Sequence, residues 1–220
     1  MIKVEKYKSG IYRENNINSS STYKYFCPSN INDTWTWDDI KLNNLLVEAS
    51  KALGEFNGYS EQIPDIDIFI KMYIRIEANK SNKIEGTKTT LDEELMNIAD
   101  LSPEKRDDHI EVQNYIKAMN LGIEKVKTLP ISSRLIKELH KTLLKVGRGE
   151  SKQPGEFRHS QNWIGGSSIK TANYVPPSHE MVNDYMTDLE KFIDNEINTP
   201  HLIKVAIIHY QFESIHPFLD

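Results

Sequence analysis

Only one cysteine, Cys27, occurs in the 220 residues. That excludes an intrachain disulfide and fits a reducing compartment. Long apolar runs are absent, and nothing approaches the roughly twenty residues that a membrane-spanning helix needs. Lys3, Lys6 and Lys8 are not followed by the apolar stretch of a secretory signal. Positive charge is in deficit: 27 Lys and Arg stand against 32 Asp and Glu, a net −5. Broad nucleic-acid binding wants a basic face, so it is not expected of this chain. Internal repeats and low-complexity segments are also missing. Cys27 precedes Pro28 in a polar stretch and reads as inert. These absences leave a soluble, cytoplasmic globule with neither membrane nor nucleic acid as a partner. Its 38% hydrophobic and 27% charged residues are ordinary for one. The length suits one good-sized domain, or a domain with an extra subdomain.

What is present is mostly helical periodicity. Residues 1–34 are polar and read as an irregular arm with short strands at most. Between Trp37 and Phe56 the apolar positions Leu42, Leu45, Leu46, Ala49, Leu53 and Phe56 mark one helix face, and Asn57-Gly58 is expected to end it. Pro64 and Asp65 open a second helix with a stripe of Ile68, Phe69, Met72, Tyr73 and Ile76, running to Ile84. Thr90 to Glu93 is a capping box ahead of a short helix to about Ala99. Ser102-Pro103 starts a long helix that ends before Pro130. Ser132 caps the next, with Leu135, Ile136, Leu139, Leu143 and Leu144 facing inward.

Residues 147–177 break the pattern. Their glycines and prolines rule out a long helix. Trp163-Ile164 and Tyr174-Val175 flank a turn-prone segment, which suggests a small β-hairpin or flap. Ser178 then caps a helix through Tyr185, Leu189 and Ile193, and Thr199-Pro200 starts the last one. His209 reads as a hydrogen-bonded core residue of that helix, and the other scattered histidines lack partners at metal-ligand intervals. The expected fold class is therefore mainly α: a helical bundle with a small β-hairpin flap.

The last helix runs into Ser214-Ile215-His216-Pro217-Phe218-Leu219-Asp220. Pro217 lacks an N–H and its ring keeps the preceding residue out of the α region. His216 should therefore sit at a helix-to-loop turn with its imidazole facing a cavity. Asp220, four residues on, offers the hard oxygen that Mg²⁺ prefers. A base beside a metal-binding carboxylate suits phosphate-group transfer. A helix stop with Phe218 as a buried plug is the simpler reading of the residues alone.

His216 to Asp220 resembles the first half of the Fic-family signature, His-Pro-Phe-x-(Asp/Glu)-Gly-Asn-Gly-(Arg/Lys)-x-x-Arg. Two upstream stretches resemble the same family. Ser81-Asn82-Lys83-Ile84-Glu85-Gly86 is similar to its inhibitory-helix motif, placed as in class II members. Pro154-Gly155-Glu156-Phe157-Arg158, with Gln161 to Gly166 and Tyr174 to Pro177, resembles the flap region of that class. The resemblance covers about residues 65–220. It divides the chain into an N-terminal extension with the first helix (1–64) and a Fic core (65–220).

The resemblance implies transfer of AMP from ATP to a Ser, Thr or Tyr hydroxyl of a target protein, this protein included. It implies that His216 is the general base, that Asp220 holds Mg²⁺ and that Phe218 packs inward. Glu85, seconded by Ser81, would inhibit by pairing with the signature's last arginine and displacing the ATP γ-phosphate. Asn162, Trp163, Ile164, Gly165, Gly166, Tyr174 and Val175 would form the flap that pairs with an extended target segment. A homodimer is compatible with it. The Gly-Asn-Gly anion cradle and both arginines of the signature fall beyond Asp220, so the 220 residues by themselves are expected to be catalytically incomplete. Two alternatives stay open: a non-catalytic protein-binding module that uses the flap, and a relative that removes AMP or moves another phosphate-containing group.

Overall fold

The computed structural model describes residues 1–15, 22–84, 90, 93, 96–145, 151–195 and 198–219. Six α-helices dominate them: α1 Ile40–Ser60, α2 Ile66–Ile84, α3 Pro103–Lys125, α4 Ser133–Leu143, α5 Val182–Asn195 and α6 His201–Ile215. The short strands β1 (Ile2–Lys3) and β4 (Trp35–Thr36) pair in parallel, while β2 (Gly10–Asn15) and β3 (Tyr23–Pro28) form an antiparallel hairpin. The chain divides into two compact units, Met1–Ser50 with Phe157–Leu219, and residues 51–156.

The second unit is built on α2, α3 and α4. Several boundaries follow from local chemistry. Asp65 Oδ1 accepts from Ile68 N at 3.0 Å and caps α2. Ser102 and Pro103 open α3. Ser132 Oγ accepts from Leu135 N at 3.4 Å at the start of α4. Its core is Ile74, Ala78, Val112 and Ile116, with Tyr115 and Met119 packed against it. Lys125 reaches from α3 to Glu138 on α4, with Nζ–Oε1 at 2.7 Å.

Several expectations are corrected here. α1 does not end at Asn57-Gly58 but continues to Ser60. A helical glycine costs only about 1 kcal/mol, and Pro64 supplies the real stop. None of α1's residues is buried, its apolar face included. On α2 the inward residues are Ile74 and Ala78, whereas Ile68, Met72 and Tyr73 from the predicted stripe are exposed. The capping box forms reciprocally: Thr90 N donates to Glu93 Oε2 at 3.0 Å and Glu93 N to Thr90 Oγ1 at 3.3 Å. No helix reaches Ala99; Ile98–Asp100 is a 3-10 turn capped by Asn97. Ser178 makes no side-chain cap, and a 3-10 turn, His179–Met181, precedes α5.

The first unit buries Phe26, Ile31, Trp35, Phe157, Val175, Val182, Met186, Leu189, Phe192 and Ile215. Residues 1–15 and 22–34 hold the short strands that the arm allowed. β2 and β3 pair over six residues each, and Phe26 N donates to Val175 O at 2.8 Å. Asp188 on α5 accepts from Ile31 N at 2.7 Å and Asn32 N at 3.3 Å. Trp35 donates from its indole to Ile31 O at 3.0 Å and meets the Phe192 ring. His209 is exposed, not part of the core; α6 buries Gln211, Ser214 and Ile215 instead. No helix among the described residues is long and apolar enough to cross a membrane.

Glu93 carries a testable consequence. Its bond to the Lys105 ammonium, then the Thr90 N–H, hold its carboxyl down to about 2 from 4.5. A folded-state value below the unfolded one stabilises the fold fully above about 4.5, and that contribution is lost as pH falls toward 2. Glu93→Gln should therefore flatten the fall of stability across that window, measured by urea unfolding at each pH. An unchanged slope would remove Glu93 from the acid response.

Candidate functional site

α6 ends in an unusual way. His216 is its C-cap, with φ 46 and ψ 67, in the left-handed region. Its N–H still donates to Phe212 O at 3.0 Å. The expected helix-to-loop turn is there, but a residue before proline ordinarily relaxes to extended backbone. For a residue with a Cβ the left-handed conformation costs about 1–2 kcal/mol, so neighbouring groups must hold it.

Those groups come from residues 157–177. Arg158 is only 2% exposed. Its Nε donates to His216 O at 2.9 Å, and Nη2 to Ile215 O at 3.3 Å and Pro177 O at 2.6 Å. Nη1 donates to Ser160 O at 3.3 Å, and its main-chain N–H to Pro217 O at 2.9 Å. Asn162 Nδ2 continues the series, donating to Phe218 O at 3.0 Å, and lies 3.1 Å from His216 Nδ1. Tyr174 begins it, its hydroxyl donating to Ser214 O at 2.6 Å. Five consecutive carbonyls, 214 to 218, thus accept from Tyr174, Arg158 or Asn162. Phe218 packs against Phe157, with ring centroids 5.3 Å apart and the ring planes inclined by 51°.

The electrostatics follow from this burial. The Arg158 partners on these residues are carbonyl oxygens, so desolvation pulls its guanidinium down to about 10, still cationic at neutral pH. Its charge sits at the C-terminal end of α6, where the helix dipole favours a cation. Burial pushes the Tyr174 phenol well up, so it remains a donor.

Over this loop runs the flap. Ile164 and Tyr174 form an antiparallel bridge, with Ile164 N donating to Tyr174 O at 2.8 Å. The turn needs glycine: Gly165 and Gly166 have φ 69 and 74. A Cβ on Gly166 would lie 2.3 Å from Thr171 O. Trp163 is 43% and Ile164 39% exposed, so the tryptophan is not tucked into the core. Pro154-Gly155-Glu156 belongs to the other unit, where Gly155 N donates to His140 Nδ1 at 2.9 Å and Lys137 reaches Glu156.

Among the sequence-predicted residues, His216, Phe218, Asn162 and Tyr174 therefore meet in one cluster, with Val175 buried beneath it. Trp163, Ile164, Gly165 and Gly166 form the flap strand and its turn. Ser81 lies on α2 of the other unit, where its hydroxyl donates to Glu77 Oε1 at 2.9 Å. Glu85 and Asp220 lie outside the described residues. Asn162, expected in the target-binding flap, also touches His216. The central part of Arg158 was missed, because its carbonyl partners His216 and Ile215 are 58 and 57 positions away and leave no local pattern.

Residues 43–124 match the family model for the Fic/DOC family N-terminal region, and residues 130–220 match that of the Fic/DOC family itself. The chain belongs to the Fic/DOC family. A crystal structure of a Fic family protein from Desulfovibrio desulfuricans G20 superposes with a TM-score of 0.63, covering 83% of this chain. At 23% identity that likeness concerns the fold, and it covers 54% of that protein's length. Fic proteins generally bind ATP and Mg²⁺. Among the described residues no three metal-ligating side chains cluster, and the Arg158 donors are committed to carbonyls.

Arg158 should be the structural key to the cluster. Lysine has fewer donors and lacks the planar fork, so Arg158→Lys is expected to cost about 1–3 kcal/mol and Arg158→Met more, with buried carbonyls left unpaired. Urea unfolding measures both. A loss under about 0.5 kcal/mol in Arg158→Met, within the surface range, would show that the carbonyls find other partners.

Proposed function

We propose that this Fic/DOC protein is a protein adenylyltransferase that moves AMP from ATP to a Ser, Thr or Tyr hydroxyl of a target protein, itself included. The observation that carries this reading is the fixed position of His216, held in a left-handed turn by residues of the flap that lies over it. A base has to be placed before its proton affinity matters. In this reading His216 takes the hydroxyl proton as the oxygen bonds to the α-phosphorus and pyrophosphate leaves. Asp220 would be a Mg²⁺ ligand, and the metal would neutralise charge on the α- and β-phosphates. The exposed flap edge at Trp163 and Ile164 would take an extended target segment by backbone pairing.

The same exposed edge supports a second reading, a protein-binding module without catalysis. Incorporation of labelled AMP from ATP separates the two. In a form that carries the whole family signature, His216→Ala should lower transfer by about 10²–10⁴-fold, the usual worth of a positioned base, while nucleotide binding persists. Transfer at the wild-type rate would remove His216 from the mechanism, and no transfer by any such form would favour the binding module.

Control is proposed to reside in Glu85. Glu85 follows Ile84, the last residue of α2, and where the whole signature is present its last arginine would pair with the carboxylate. Such a charge-assisted pair is worth about 1–3 kcal/mol. Breaking it should shift the population toward the active pose by about tenfold for each 1.4 kcal/mol. Glu85→Gly is expected to raise self-labelling in a form that carries the whole signature. Equal labelling of mutant and wild type would sink the inhibitory role and leave the fold untouched.

A further inference from the structure

We infer that Asn162 is a positioning residue that sets which nitrogen of His216 carries the proton, and so ties the readiness of the base to the flap. The inference starts from two distances. Asn162 Nδ2 is 3.0 Å from Phe218 O and 3.1 Å from His216 Nδ1. A carbonyl oxygen can only accept, so the amide atom facing Phe218 must be the nitrogen. An amide nitrogen has two hydrogens and no lone pair to offer. Having given one to Phe218 O, it directs the other at His216 Nδ1. That ring nitrogen must then be the acceptor, and the neutral imidazole carries its hydrogen on Nε2.

This arrangement has a chemical consequence, which rests on the adenylyltransferase reading. With Nδ1 engaged and Nε2 protonated, the ring cannot take a proton through Nε2. Proton uptake there requires the hydrogen to reside on Nδ1, which the Asn162 amide opposes as long as its nitrogen faces the ring. The amide is itself poised. Its Oδ1 is buried and has no hydrogen-bond partner among the described residues, a state that costs about 1–3 kcal/mol. Turning the amide over would give Oδ1 a donor, Nδ1–H, but would set it against Phe218 O. The orientation of the amide and the tautomer of His216 therefore change together. Asn162 immediately precedes Trp163 and Ile164, the exposed flap edge. A target strand pairing at that edge acts on the main chain next to the amide. Asn162 thus links target docking to the protonation state of the base.

The test needs no nucleotide and uses the 220-residue chain. Imidazole-labelled protein is studied by long-range nitrogen–proton correlation above the pH at which histidine is cationic, with His216→Gln assigning the resonance. Hydrogen on Nε2, with a through-hydrogen-bond coupling between Asn162 Nδ2 and His216 Nδ1, is the expected wild-type result. Hydrogen on Nδ1 would overturn the proposal on the wild-type spectrum alone. Asn162→Asp replaces the donor with acceptors and should move the hydrogen to Nδ1. A folded variant, judged by unshifted signals from the other histidines, that keeps it on Nε2 would also overturn the proposal. Because the readout is a tautomer, a failure of AMP transfer would defeat the catalytic reading and leave this result standing.

Discussion

A single cation organises the end of α6. Arg158 is buried and donates from its side chain to four carbonyl oxygens and from its main chain to a fifth. Burying an unpaired guanidinium is costly unless its donors are satisfied, and here main-chain dipoles rather than a carboxylate satisfy them. Carbonyls at a helix C-terminus carry the negative end of the dipole and point outward without intrahelical partners. The cation and the orphan carbonyls therefore answer each other's need. The planar fork lets one side chain reach Ile215, His216 and Pro177 at once, which a flexible ammonium cannot copy.

The left-handed His216 follows from that contact. A non-glycine residue in this region persists only where its surroundings over-determine it. Holding carbonyls 214 to 218 in sequence leaves the turn little freedom. Strain at His216 and the orphan Oδ1 of Asn162 both fall within this cluster. The left-handed Gln153 and the buried Gln211 Oε1 are similar exceptions outside it.

How much of this was legible in the sequence depended on the range of the interaction. Caps act over three residues, so Asp65, Ser102-Pro103, Ser132 and the Thr90–Glu93 box could be read directly. Choosing the buried face of α2 could not be done that way. Ile74 and Ala78 pack with Val112 and Ile116 of α3, whereas Ile68, Met72 and Tyr73 stay exposed. The β2–β3 hairpin was hidden because its strands mix apolar and charged residues, and its Phe26 bond to Val175 spans most of the chain. Asn162 and His216 are 54 positions apart. The signature marked His216 as the site, but no local pattern shows which side chain touches its Nδ1.

The flap therefore serves two purposes with one stretch of chain. Its inner side, through Arg158, Asn162 and Tyr174, fixes the loop that carries His216; the Trp163 and Ile164 side chains are exposed. A base fixed by folding has had its positional freedom removed before any substrate arrives, which is where positioning lowers a barrier. The same rigidity means that a displacement of the outer edge cannot stay local. Main-chain motion at Trp163 moves the neighbouring Asn162, whose amide bonds to Phe218 and faces the imidazole. In the proposed adenylyltransferase, a site built this way would hold its base firmly and still respond to what docks on the flap.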